Sequence, residues 1–426
     1  MSPMTSTSTR EYDAIVLGAG PAGLGAGLHA ARNGARVAVI DHAPTIGGLC
    51  VTRTTRDLRY DIGGHIPFVN DAERLAWLGD LLGDRLEWVR RPVCSWRDGQ
   101  VRPGRYLDQR PTDGSAHDAS ITSFEPAPDA GADEVLAECM GAPFVAAELQ
   151  GYLEKIDGVP LARIPGTRPL RLLREQAAPE GFWFPIGGIG VLMHAMADAL
   201  RAYGGQIHTS TSATRIATTD HGVGAIDIDG PNGPQRFSTE QIIGSAPAGQ
   251  IARLLDPPIA PERLPKLAMR AVCVVYLEVE CTQLTDYSWV QIDDPRVPAA
   301  RIFEMTNWSR DMAPPGRTII GCECYCHPTP DDPIWGSSDA ELIARCRLAL
   351  IDPLGWCDAT TPMHPIEVIR LANAYPSPDL TQLEAMNAAP RLVHAIEGIH
   401  LARGSAVIDA ITQGERAADT ALGRAR

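Results

Sequence analysis

The chain has 426 residues, 44% hydrophobic and 21% charged, and carries a formal net charge of -14. That length exceeds what one hydrophobic core normally serves, so two domains are expected, and the composition excludes extended disorder over most of the chain. The acidic balance, with no long Lys/Arg cluster, excludes a general nucleic-acid binder, and no run of about 18 apolar residues supports a membrane-spanning helix.

Met1 to Arg10 is polar and rich in Ser and Thr, without the basic stretch, apolar run and cleavage site of a secretory signal, and is expected to be a disordered leader. Ten cysteines spread along a large chain fit reduced thiols, and the expected compartment is the cytoplasm.

Tyr12 to Leu17 (YDAIVL) reads as a buried parallel strand and runs into GAGPAG, Gly18 to Gly23. Ala22 to Asn33 then reads as a small-residue helix ended by Gly34, and Arg36 to Ile40 (RVAVI) as a second strand. In such a unit Gly18 permits a tight turn, Gly20 lets backbone approach a pyrophosphate, and Gly23 lets the helix pack closely. Pro21 and Ala22 open the helix whose N-terminus faces the phosphates. Asp41 closes the second strand, where a carboxylate can accept hydrogen bonds from ribose hydroxyls.

The next segment, His42 to Thr52 (HAPTIGGLCVT), resembles the one that follows the ribose-binding acid in flavoproteins of the amine oxidase superfamily. The resemblance implies FAD, with His42 beside the acid and Gly47, Gly48 and Leu49 bringing backbone along the cofactor. Tyr60 to Phe68 (YDIGGHIPF) has a core similar to UDP-galactopyranose mutases and protoporphyrinogen-oxidase-like proteins. There Gly63, Gly64 and His65 would sit by the flavin ring, His65 being the candidate catalytic residue or a histidine that packs beside the cofactor.

The resemblance resumes at Phe184 to His208, a glycine turn, amphipathic helix and returning strand, after which backbone at Ala213 would meet the adenine. Gln241 to Leu255 resembles the strand that ends near the cofactor before a proline. In Gly398 to Leu422, Gly404 would lie by the phosphate or ribityl chain, and Asp409, with Ala410 and Ile411, matches the acid that precedes the final helix. No cysteine lies in that segment, so attachment is expected to be non-covalent.

The implied fold is α/β, a Rossmann-like two-dinucleotide-binding-domain FAD fold with an interleaved α+β substrate domain. Its pieces are 1–76, 182–260 and 366–426 for the cofactor and 77–181 and 261–365 for the substrate. Arg110 to Ala132, rich in Pro and Asp, reads as a long connection, a lid or an insertion. Trp289 to Cys326 and Asn373 to Leu380 resemble substrate-side segments, with Arg301, Glu323 and Tyr375 as candidate pocket residues, Arg301 and Glu323 fitting a structural ion pair equally well. Cys322, Cys324 and Cys326 alternate and share one strand face; no metal site is assigned to them, although with His327 adjacent that reading stays open beside buried core.

The leading expectation is an oxidoreductase (oxidase, dehydrogenase or desaturase) taking hydride from a C–N, C–C or C–O centre of a small-molecule substrate. The alternatives are a redox-neutral mutase or isomerase acting on a sugar nucleotide, and a non-catalytic flavin-binding module. Nothing in the motifs selects an electron acceptor or an oligomeric state.

Overall fold

The computed structural model describes residues 10–69, 71–90, 93–104, 124–174, 181–377, 379–404 and 406–424. The runs Ala14–Leu17 and Val37–Ile40 are buried at every position, as parallel strands covered on both faces must be. They pair with each other and with three distant strands in the spatial order Gln206–His208, Val37–Ile40, Ala14–Leu17, Ile242–Gly244, Ile399–Leu401, all parallel. Alternation sends Ala14, Val16, Val37 and Val39 into a core shared with the helices Pro21–Arg32, Gly190–Ala202 and Val407–Ala421. It sends Ile15, Leu17, Ala38 and Ile40 onto a second sheet built from Ser212–Thr219, Gly222–Asp229 and Gln235–Ser238. The first helix starts at Pro21, one residue before the sequence suggested, because a proline at the first helical position has no N–H to leave unsatisfied.

A seven-stranded sheet forms the other half, in the order Met363–Pro376, Met269–Val279, Thr318–Cys326, Arg301–Glu304, Trp289–Ile292, Val93–Arg97, Gln100–Pro103. Its pairs are antiparallel except Trp289–Ile292 with Val93–Arg97. One face packs on the helix Asp339–Ile351, and there Cys322, Cys324 and Cys326 lie buried with Leu342, Cys346 and Ala349. Among the described residues no group of His, Cys, Asp and Glu side chains is disposed to hold a metal ion. The opposite face, including Val272, Val274, Tyr276 and Phe303, packs on Leu58, Tyr60, Ile62 and Ile66 of the cofactor half.

Two expected boundaries fall inside elements. The strand Met363–Pro376 belongs wholly to the seven-stranded sheet, so a boundary at 366 cuts it; the helix Ala72–Leu82, which buries Leu78 and Leu82 in the cofactor-side core, is split by one at 76. Most of Arg110 to Ala132 lies outside the described residues, as do Met1 to Thr9; the helix Ala132–Met140 begins where that stretch ends. With Gln150–Asp157 and Thr167–Arg174 it forms a helical unit that packs against Tyr325 of the sheet and Ala300 just before the strand Arg301–Glu304. No helix among the described residues is long and apolar enough to cross a membrane.

Candidate functional site

Gly18 leaves the first strand at φ +103° and begins the turn into the helix, with Gly20 as its N-cap. A Cβ on Gly23 would lie 1.7 Å from the Gly18 carbonyl oxygen, so this glycine is required by the protein's own packing. A Cβ on Gly20 would meet nothing nearer than Gly48 Cα at 3.8 Å, chain neighbours aside. A Cβ on Gly20 would thus make only ordinary contact with the Gly47–Gly48 turn, and the helix N-terminus beside it, whose first N–H groups have no partner within the helix, is a cradle suited to a phosphate. Gly47 and Gly48, both at positive φ, fold back over the cradle, and the Gly47 N–H donates to the Ala19 carbonyl at 2.8 Å.

Asp41 follows the second strand and is 8% exposed. One carboxylate oxygen accepts from the Ala19 N–H at 2.6 Å and the other from the Ala43 N–H at 2.8 Å, so it braces the glycine loop. Each oxygen keeps further acceptor capacity for a hydroxyl. His42 points into solvent with its Nδ1 3.4 Å from Asp41, and Leu49 stands exposed at the rim. Ala213, half-buried, lies on the strand Ser212–Thr219 shortly after Thr211, whose N–H donates to the Asp41 carbonyl.

The strand Leu58–Asp61 leads into the second glycine loop. Asp61 is fully buried; it accepts from Thr52 Oγ1 at 2.5 Å and from the Ile189 N–H at 3.0 Å, and the Gly190 N–H donates to Thr52 Oγ1 at 2.8 Å. Burial pushes its carboxyl up to about 7, with the Thr52 and Ile189 hydrogen bonds pulling the other way. The Tyr276 hydroxyl donates to the Asp61 carbonyl and accepts from the Gly63 N–H at 2.7 Å, while the Gly64 N–H donates to Glu323 Oε1 at 3.1 Å. Both anchors come from the seven-stranded sheet. Burial lowers the His65 imidazole below its usual range, against the opposing pull of Glu323, so it is neutral near pH 7. Its Nδ1 is buried without a partner among the described residues, the kind of orphaned atom that a bound group satisfies.

Glu323 opens onto a polar cluster. Its Oε2 lies 2.7 Å from Arg301 Nη2 and accepts from the Tyr325 hydroxyl at 3.2 Å; Arg301 also donates to Tyr325 and spreads over its ring. Tyr325 stacks on Tyr375, centroids 6.3 Å apart. Burial disfavours the Arg301 charge, but Glu323, Tyr325 and Tyr152 outweigh it and hold the guanidinium ionised. A third of the Arg301 side chain is open, while its Nε is buried without a partner among the described residues. Close by, Arg168 makes a bidentate pair with the buried Asp157 and feels the phenols of Tyr325 and Tyr375. Arg301, Glu323 and Tyr375 were legible in the sequence; Tyr325, Tyr152 and Arg168 were not singled out. A signal existed for Tyr325: in Cys322 to Cys326 the alternation that buries the cysteines sends Glu323 and Tyr325 to the opposite face.

One C-terminal expectation needs correction. Asp409 does not precede the final helix but sits in its first turn, after the N-cap Ala406, where a carboxylate complements the helix dipole. Ile411 is fully buried against the first helix, its carbonyl 2.8 Å from where a Gly25 Cβ would stand, so its side chain serves the core. Gly404 abuts that helix directly: a Cβ there would come within 2.3 Å of Ala410 Cα.

A family model described as flavin containing amine oxidoreductase matches residues 21–422. A crystal structure of reduced UDP-galactopyranose mutase superposes with a TM-score of 0.75 at 18% identity, covering 97% of this chain and 96% of that one. A putative protoporphyrinogen oxidase from Exiguobacterium sp. 255-15 gives 0.70 at 17% identity, over 99% of this chain and 100% of that one. A triple mutant of putrescine oxidase gives 0.72 at 17%, over 98% and 100%. These likenesses establish the fold. Sequence similarity to curated relatives is local: the soluble pyridine nucleotide transhydrogenase of Marinobacter nauticus is 43% identical over 60 residues, 13% of this chain and 13% of that protein's length.

Proposed function

The chain belongs to the flavin-containing amine oxidoreductase family, and from that premise we propose that it holds FAD non-covalently and removes hydride from a small, polar, anion-bearing metabolite. Gly18, Gly20, Pro21, Ala22 and Gly23 would take the pyrophosphate, Asp41 the ribose and the backbone at Ala213 the adenine. The Gly47 to Leu49 turn, the Gly63 to His65 loop, Gly404 and the first turn of the final helix, Val407 to Ala410, would line the flavin end. The glycine loop at the helix N-terminus and the Nδ1 of His65, without a partner among the described residues, fit such a group. FAD, when bound, supplies the two-electron acceptor. Non-covalent attachment agrees with Cys50, next to the Gly47–Gly48 turn, whose thiol burial pushes up to about 12, leaving it un-ionised and a poor nucleophile.

The observation that carries the substrate side is the Arg301, Glu323 and Tyr325 cluster tied to the Gly64 N–H. A polar constellation at the end of a loop facing the cofactor disfavours an apolar polyene or porphyrin. A guanidinium held ionised, with a buried Nε unspent, disfavours a cationic amine and suits a carboxylate or phosphate. The chain's residues would anchor the substrate by that group, exclude water through the Trp308 and Phe303 packing behind the loop, and offer the neutral His65 imidazole as proton acceptor or donor.

A second reading, a redox-neutral mutase or isomerase acting on a sugar nucleotide, is favoured by the presence of two arginines, Arg301 and Arg168, beside three tyrosines, a set suited to phosphates and sugar hydroxyls. Anaerobic mixing with candidate substrates separates the two. Bleaching of the flavin by substrate alone supports hydride removal; turnover that needs prior reduction and consumes no oxidant supports the mutase. Protein purified after FAD-replete expression and carrying no flavin would defeat both.

A further inference from the structure

Lys155 lies on the helix Gln150–Asp157, near its C-terminal end, and its Nζ is within hydrogen-bond distance of four backbone carbonyls: Ile292 at 3.2 Å, Asp294 at 2.9 Å, Val297 at 2.9 Å and Ala299 at 3.0 Å. Ile292 closes the strand Trp289–Ile292, and the other three belong to the turn between it and the strand Arg301–Glu304. An ammonium has three N–H donors and no acceptor, so four carbonyls share them and the turn is filled from within by a cation. Hydrogen bonds from a charged donor are the stronger kind, and carbonyls gathered this closely repel one another without it.

The turn hands directly to the site. Gln291 pairs with Arg301 across the hairpin, the Ile292 N–H donates to the Ala300 carbonyl at 2.9 Å, and the Ala300 N–H donates to the Glu323 carbonyl at 2.9 Å. The same helix carries Tyr152, a neighbour of Arg301 and Glu323, and Asp157, the partner of Arg168. Its own C-terminal carbonyls at Lys155 and Ile156 are capped by the buried Arg270 of the sheet. The helix end is thus fixed, and Lys155 transmits that fixed position to the turn.

We propose that Lys155 is a positioning residue that clamps the 293–300 turn and thereby sets the Arg301 guanidinium, joining the helical unit to the strand that carries the arginine. The consequence for ligand affinity rests on the reading of the Arg301 cluster as the substrate's anion site; the clamp itself does not. The FAD cradle is built from other segments and is untouched, so cofactor content stays constant when the clamp is removed.

The test uses the FAD-loaded protein with Lys155→Ala, and Lys155→Met as the variant that keeps the apolar stem if the alanine form folds poorly. Amide exchange of 293–300 is read by mass spectrometry, and inorganic pyrophosphate, titrated against the flavin spectrum, is the anion probe. Removal of Lys155 is expected to speed exchange in the turn and weaken the probe by about tenfold at unchanged FAD content. Ammonium chloride should restore both in the alanine variant by refilling the carbonyl cage, while tetramethylammonium chloride at equal ionic strength, too large for the cage, should not. Unchanged exchange, or equal effects of the two salts, overturns the clamp; faster exchange with unaltered probe affinity overturns its role in setting Arg301. Failure of pyrophosphate to perturb the wild-type flavin, or unaltered binding in Arg301→Ala, strikes the anion reading alone, because the exchange measurement stands without it.

Discussion

The backbone N–H of Gly64 donates to Oε1 of Glu323 at 3.1 Å, joining the loop expected at the flavin ring to the sheet that carries the polar cluster. The other carboxylate oxygen holds Arg301 at 2.7 Å. Glu323→Gln keeps an acceptor for Gly64 but leaves Arg301 without its counter-charge. Because Glu323 is buried while Arg301 is a third open, the expected loss is about 2 kcal/mol rather than the full penalty of a buried unpaired charge. Urea unfolding of the two proteins at one pH checks it, and equal midpoints with equal slopes would show the ion pair to be stability-neutral.

Gly20 and Gly23 stand three residues apart and predict opposite failures. Gly20→Val adds a side chain whose Cβ clashes with nothing, its nearest neighbours being Gly48 Cα at 3.8 Å and the Gly47 carbonyl oxygen at 3.9 Å, so the fold should persist while FAD retention collapses. Gly23→Ala drives a Cβ into the Gly18 carbonyl and should cost stability before any cofactor effect is seen. Circular dichroism with flavin content on the same samples separates them. Wild-type flavin occupancy in Gly20→Val would remove the pyrophosphate from this loop.

What the sequence disclosed follows the range of the interactions involved. The strand, loop and helix from Ala14 to Arg32 were legible because their glycines, proline and apolar run act on near neighbours. The assembly of one parallel sheet from three remote segments was readable only through resemblance, since no local signal pairs Ile242–Gly244 with Ala14–Leu17. Asp409 was misplaced because Ala406, a residue with no capping side chain, starts the last helix. Lys155 and Tyr152 were invisible for a different reason: an ammonium among carbonyls leaves no pattern in the turn that supplies them.

His65→Ala should retain FAD, because backbone of Gly63 and Gly64, anchored by Tyr276 and Glu323, provides the loop's shape without the imidazole. Flavin reduction and turnover should change, since the half-buried neutral ring is lost. FAD content, photoreduction rate and, with a substrate in hand, kcat measured on one preparation decide it. Unchanged reduction and turnover would reduce His65 to packing, and loss of FAD would make it a cofactor-holding residue.

Asp61 supplies a pH dependence whose sign can be worked out. Its carboxyl is raised to about 7 in the folded protein from 3.8, first by burial, while Thr52 and Ile189 hold the ionised form. Between those values the native state keeps a proton that the unfolded chain has released. Unfolding free energy therefore falls as pH rises through this window, by about 1.4 kcal/mol per unit at most, and the contribution is flat on either side. Asp61→Asn retains an acceptor for Thr52 and the Ile189 N–H but cannot titrate. The variant should lose this downward slope between about pH 4 and about pH 7 and match or exceed the wild type at the upper end. Denaturant titrations of both proteins across that range give the difference directly, other carboxylates cancelling in the comparison. A difference that stays constant with pH would mean that Asp61 is ionised throughout, its hydrogen bonds outweighing its burial.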